Sequence, residues 1–268
     1  ESLGQILTST FKPRRIRGND ESQWASLPNS NTQNTCPHCR GNQWIMVGPP
    51  MKRDYVPCQC TGWEERKAAR IVTWANLPDG LPRIFDNFEA RPGTELALKA
   101  AQAFAQRDVS YHILTIFGRN GSGKTHLLEA IGKKMLEDGY LVRYEYVPAL
   151  LDNLRATYDD DAEVKFPEQW ALYGRAQVLL LDDLGAEKGS EWAIEKLTSL
   201  VSERYRTGGM LVVATNLTFD QAAESLGYRL ADRLWDDRTG KVRSVSITAD
   251  SYRTGRSWNQ SQARSGRR

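Results

Sequence analysis

The run Gly118-Arg119-Asn120-Gly121-Ser122-Gly123-Lys124-Thr125 fits the pattern G-x-x-x-x-G-K-[ST]. Residues of these types at this spacing are suited to holding phosphates. The glycines let the backbone N–H groups from Asn120 through Gly121, Ser122 and Gly123 turn inward around an anion. A helix beginning there adds its positive dipole end. Lys124 would reach the outer phosphates, and Thr125 would offer its hydroxyl to Mg2+. The competing reading is an ordinary glycine-rich turn.

A second cluster follows in Val178-Leu179-Leu180-Leu181-Asp182-Asp183, an apolar run that ends in two carboxylates. A buried strand that ends in paired acids needs a cation or a proton to manage their charge. Beside a phosphate loop, Asp182 would hold Mg2+, directly or through water, and Asp183 would polarise an attacking water. Alone, the pair could equally cap the turn at Leu184-Gly185. A third cluster lies where the strand Met210 to Ala214 runs into Thr215-Asn216. Asn216 would orient that water or sense the terminal phosphate, unless it only ends the strand, as Asn often does.

All four cysteines fall early, as Cys36-Pro37-His38-Cys39 and Cys58-Gln59-Cys60, and the two pairs are separated by 18 residues. Four thiolates in two close pairs suit tetrahedral Zn2+ at about 2.3 Å per bond. Disulfides or free thiols are the alternative. His38 reads as a bystander, because the adjacent Cys39 already fills that corner. A strand is expected at Gln43 to Val47, between the pairs. Trp44, Trp63 and Trp74 read either as core or as anchors for a partner.

These groups need elements to hold them in place. Helices are expected at Gly62 to Leu77, Thr94 to Arg107, Lys124 to Glu137 and about 149–158, 190–206 and 228–236. Strands are expected at Tyr111 to Phe117, Leu141 to Val147, Val178 to Leu181, Met210 to Ala214 and Val242 to Ile247. Five strands that alternate with helices predict an α/β fold, a parallel sheet covered on both faces. Residues 1–35 read as a flexible arm, 36–77 as a small metal module, 78–253 as the α/β body and 254–268 as a disordered basic tail. Pro78-Asp79-Gly80-Leu81-Pro82 marks the boundary between module and body.

The chain has 268 residues, 40% of them apolar and 26% charged, which is a globular composition. No apolar run approaches the roughly 20 residues that cross a bilayer, so no membrane span is expected. The start lacks a secretory pattern, which predicts a cytosolic protein. The formal charge of +3 hides a split. Residues 1–76 hold 10 Lys and Arg against 6 Asp and Glu, residues 77–250 hold 21 against 27, and residues 251–268 hold 5 against none. Basic ends around an acidic body suit either nucleic acid or acidic partners, or are simply solvated tails.

Taken together, residues 83–253 resemble the AAA+ ATPases of the helicase-loader group, the DnaC and DnaI proteins and their phage relatives, with IstB transposition ATPases as cousins. The resemblance rests on Phe85-Asp86-Asn87-Phe88, the phosphate loop, Leu181-Asp182-Asp183-Leu184-Gly185, Ala214-Thr215-Asn216, Leu230-Ala231-Asp232-Arg233-Leu234 and Asp250-Ser251-Tyr252-Arg253. It implies a P-loop AAA+ domain that binds ATP or ADP with Mg2+. Lys124 and Thr125 are then the Walker A pair, Asp182 the Walker B metal ligand and Asn216 sensor 1. Asp183 stands where most AAA+ proteins carry Glu, which implies slow hydrolysis. Arg233 is similar to an arginine finger acting on a neighbour's nucleotide, with Arg229 as the competing finger. Arg253 is similar to the sensor 2 arginine acting within its own chain. A surface salt bridge is the plain alternative for Arg233 and for Arg253.

The resemblance also implies partners: a hexameric DnaB-like replicative helicase docked by the zinc module, single-stranded DNA at Tyr158, Ser190 and Trp192, and self-association through AAA+ interfaces. The two aromatics could equally be core or interface residues. Three roles remain open on these grounds: an ATP-dependent helicase loader, a transposition helper ATPase working on duplex DNA, and a non-enzymatic adaptor switched by nucleotide.

Overall fold

The computed structural model describes residues 44–47, 54–57, 71–79, 83–159, 161–186 and 190–252. Strands β1 (Trp44–Val47) and β2 (Asp54–Pro57) pair antiparallel, with Trp44 opposite Pro57 and Val47 opposite Asp54. β1 matches the strand expected between the cysteine pairs. β2, with a proline at its end, carries too short a pattern to be read from sequence. Residues 71–75 are helical and Trp74 is buried, which favours the core reading for that tryptophan.

The body runs α1 (Glu95–Ala105), β3 (Ile113–Gly118), α2 (Lys124–Glu137), β4 (Val142–Tyr146), α3 (Val147–Ala156), α4 (Phe166–Arg175), β5 (Val178–Leu184), α5 (Glu191–Thr207), β6 (Met210–Thr215), α6 (Phe219–Leu226), α7 (Tyr228–Trp235) and β7 (Val242–Ile247). Short 3-10 turns occupy Phe85–Asn87 and Asp237–Thr239. The five strands β3 to β7 form one sheet in the order β4-β5-β6-β3-β7, and every pairing is parallel. β3, which leads into the phosphate loop, therefore lies inside the sheet between β6 and β7.

The strands read as nearly continuous apolar runs because both faces are covered. Leu114, Ile116, Leu180, Val212 and Ala214 pack into one core with α1 and α2. Ile113, Leu179, Leu181, Leu211 and Val213 point the other way, into a second core with α3, α5 and α7. The period-2 alternation of the pleat decides which core each residue enters.

α2 positions the phosphate loop. Its Leu127, Leu128, Ile131 and Met135 are fully buried, each burial being worth about 1.5–3 kcal/mol. Gly132 brings the helix close to the sheet, since a Cβ there would lie 2.5 Å from a Leu180 methyl. α5 opens on Ser190, whose hydroxyl accepts the Ala193 N–H, and it closes on Gly208 at φ +74. α4 and α6 went unread in the sequence. Each is only 10 or 8 residues long, α4 carries Pro167 in its first turn, and α6 depends on a Thr218–Gln221 capping box.

Candidate nucleotide-binding site

β3 ends at Gly118 and α2 begins at Lys124, so residues 119–123 cross the carboxyl edge of the sheet as a tight loop. Gly121 and Gly123 take φ +77 and +103, backbone that side chains rarely adopt. At Gly123 a Cβ would also sit 3.0 Å from the Phe88 ring. Lys124 is buried and donates to Gly118 O at 2.9 Å, Arg119 O at 2.8 Å and Asn216 Oδ1 at 2.6 Å. Asn120 is exposed at the loop's crest, and the Ser122 hydroxyl is buried without a partner among the described residues.

The two acids face this loop. Thr125 Oγ1 donates to Asp182 Oδ1 at 3.2 Å, and the Asn216 amide donates to Asp183 Oδ1 at 2.9 Å. Asn216 therefore bridges Lys124 and Asp183. Asp183 itself has a left-handed φ of +58, and the β5–β6 register shifts between Leu181 and Leu184. Burial pushes the Asp182 carboxyl above its usual range, opposed by hydrogen bonds from Tyr144 and Thr125. An all-oxygen pair of hydroxyl and buried carboxylate fits a hard divalent cation such as Mg2+. No cluster of three or more His, Cys, Asp or Glu able to hold a metal occurs among the described residues.

Beside the loop opens a cavity of about 300 Å³, lined by Arg83, Phe88, Glu89, His126, Tyr252 and the loop itself. The Phe88 ring meets His126 edge-on, with centroids 5.1 Å apart, and lies 6.3 Å from Tyr252. Tyr252 donates its backbone N–H to Gly121 O at 2.9 Å, and the Arg91 guanidinium sits 3.9 Å above its ring. His126 Nε2 lies 2.9 Å from Ile84 O and 3.1 Å from Asn87 Oδ1. One turn on, Glu129 is buried between Arg83 and Lys133, the latter 3.3 Å away. These contacts fasten residues 83–89 to the phosphate-loop helix. Phe85 to Phe88, Gly121 and Tyr252 belong to motifs seen in the sequence; Arg83, Arg91, His126, Glu129 and Lys133 did not stand out there. Apart from the i,i+4 pair Glu129–Lys133, these contacts join segments far apart in the chain, and no local spacing encodes them.

Arg233 is elsewhere. It lies on α7, 6.0 Å over the Tyr205 ring, with Lys241 4.8 Å over the same ring. A cleft of about 650 Å³ gathers Arg206, Arg229, Arg233 and Lys241, none of which forms an ion pair among the described residues. Lys241 directly precedes β7, so this cleft lies at the amino edge of the sheet, opposite the phosphate loop. Arg253 and Cys36, Cys39, Cys58 and Cys60 lie outside the described residues. Tyr158, Ser190 and Trp192 are brought together: the two rings are 6.2 Å apart, and Arg155 donates to Ser190 Oγ at 3.2 Å while lying 5.1 Å over Trp192. No helix among the described residues is long and apolar enough to cross a membrane.

The family described as IstB-like ATP binding protein matches residues 59–261. The replicative helicase loader DnaC of Buchnera aphidicola subsp. Schizaphis graminum is 28% identical over 174 residues, covering 63% of this chain and 68% of that protein. The chromosomal replication initiator protein DnaA of Lactococcus lactis subsp. cremoris is 33% identical over 174 residues, 63% of this chain but only 36% of DnaA. The chain thus spans about a third of the length of the DnaA relatives it matches. The crystal structure of the DnaC helicase loader superposes with a TM-score of 0.53 at 23% identity, over 62% of this chain and 97% of that one, which supports the shared fold. With the family model matching residues 59–261, most of the chain, the protein belongs to the IstB-like ATP-binding proteins as an AAA+ ATPase related to the DnaC helicase loaders and to DnaA.

Proposed function

We propose that this ATPase loads a replicative helicase onto single-stranded DNA. The base of ATP lies against Phe88, His126 and Tyr252, and the phosphates enter the loop from Gly121 to Thr125. Lys124 donates to the outer phosphate oxygens. Thr125 and Asp182 would hold Mg2+, which would neutralise charge on the phosphates. Asp183 accepts the proton of the attacking water, and Asn216, already hydrogen-bonded to it at 2.9 Å, sets its direction. Arg233 supplied by a second copy, and Arg253 from the same chain, meet the terminal phosphate.

One observation carries the loader reading: Tyr158, Ser190, Trp192 and Arg155 form one patch of aromatic and cationic groups, which suits bases that stack without sequence preference. The metal module adds to it. The pairs Cys36–Cys39 and Cys58–Cys60, by their spacing in the sequence, would hold Zn2+ in a module that docks the helicase.

The test is binding of the full chain to the cognate replicative helicase, with ATP turnover measured with and without single-stranded DNA. Helicase binding and DNA-stimulated turnover are expected, with DNA affinity falling roughly tenfold in Tyr158→Ala and in Trp192→Ala. The family match favours one other reading, a transposition helper working on duplex DNA. Binding to duplex DNA with none to helicase would select it.

A further inference from the structure

Both oxygens of the Asp182 carboxylate are held. Oδ1 accepts from Thr125 Oγ1 at 3.2 Å and from the Asp183 N–H at 3.0 Å. Oδ2 accepts from the Tyr144 hydroxyl at 2.8 Å. Tyr144 lies on β4, opposite Leu180, two residues before Asp182 on the neighbouring strand. Its ring packs in the core beneath α2 and is only 7% exposed, whereas Tyr146, two residues on, is 45% exposed. Tyr144 does not line the cavity beside the phosphate loop.

We propose that Tyr144 is a positioning residue for nucleotide-bound divalent cation, acting through Asp182. The proposal rests on the reading of Thr125 and Asp182 as the cation's holders. A carboxylate turns easily about its last bond. A donor on Oδ2 fixes that turn and keeps Oδ1 aimed at Thr125. The donor's chemistry suits this role, since a phenol is neutral and orients the carboxylate without cancelling the charge that attracts the metal. A lysine or arginine in its place would compete with the cation. Partners in this position commonly govern metal affinity by about 10–100-fold.

The experiment is a titration of the full-length protein with a fluorescent ATP analogue, with Mg2+ varied and with EDTA, for wild type, Tyr144→Phe, Asp182→Asn and the double variant. Tyr144→Phe keeps the ring in the core, and thermal unfolding checks that it folds. The expected result is metal-free affinity within twofold of wild type and a Mg2+ requirement raised about tenfold. In the Asp182→Asn background the tyrosine substitution should change nothing further, a coupling that a merely structural role would not produce. The Mg2+-dependent rise in melting temperature of the ATP complex, followed from low temperature in the same four proteins, reads the coupling a second way should Tyr144→Phe be too unstable to titrate at room temperature. An unchanged Mg2+ requirement in Tyr144→Phe, or additive effects in the double variant, overturns the proposal. If Asp182→Asn also leaves the Mg2+ response intact, the metal reading of Asp182 fails instead, and the two failures are told apart.

Discussion

Arg204 on α5 is buried and donates to the carbonyl oxygens of Tyr173 and Ala176, the latter at 2.7 Å, which closes the end of α4. Burial pushes its pKa down to about 10. Removing the guanidinium leaves two buried carbonyls without donors, at about 1–3 kcal/mol each. Arg204→Met should therefore lower stability by about 2–4 kcal/mol in urea denaturation, with little change in slope. At this scale the phosphate loop and the acids at 182 and 183 were legible in the sequence, because fixed spacing within one segment encodes them. Tyr144, His126 and Arg204 were not. Their partners lie on other elements, 38, 42 and about 30 residues away, and only the packed fold brings them close.

Among the elements, α2 was read to its ends, since its apolar positions keep one face for four turns and glycine precedes it. Its contact with β5 yields a sharp expectation at Gly132. Alanine favours a helix by about 1 kcal/mol, yet here its methyl would collide with Leu180. Gly132→Ala should destabilise the domain by about 1–3 kcal/mol in chemical denaturation. The same helix carries a pH dependence. Burial, the largest cause, lowers the pKa of His126 below its usual 6.5, so the folded chain prefers the neutral ring. Below pH 6.5 the unfolded chain binds the proton first, and stability must fall as the pH drops toward the lower folded value. His112 shifts the same way, also chiefly by burial. Melting temperature followed from pH 7.5 to 5.5 should therefore decline in wild type and decline less in His126→Gln. A flat profile in both would contradict the assignment.

For the whole molecule, the parallel sheet sets the consequence. The phosphate loop lies at its carboxyl edge and the cleft holding Arg233 at its amino edge, so one chain cannot bring both to one nucleotide. Head-to-tail stacking of copies would join them. Lys124→Ala is expected to abolish ATP binding, and Arg233→Ala to retain binding but lose at least tenfold in turnover. An equal mixture of the two inactive variants should recover measurable hydrolysis, read by phosphate release. The architecture was largely visible in the order of strands and helices. The strand order within the sheet was not, because it depends on which hydrophobic faces meet in space. The bend at Asp183 belongs to that hidden part as well. In an unbroken pleat, adjacent residues project into opposite helical layers, and tandem acids would serve two different neighbourhoods. The irregularity after Leu181 leaves both carboxylates facing the phosphate loop, one on Thr125 and one on Asn216, so a substitution that straightened this part of β5 would break that arrangement with every acid still in place.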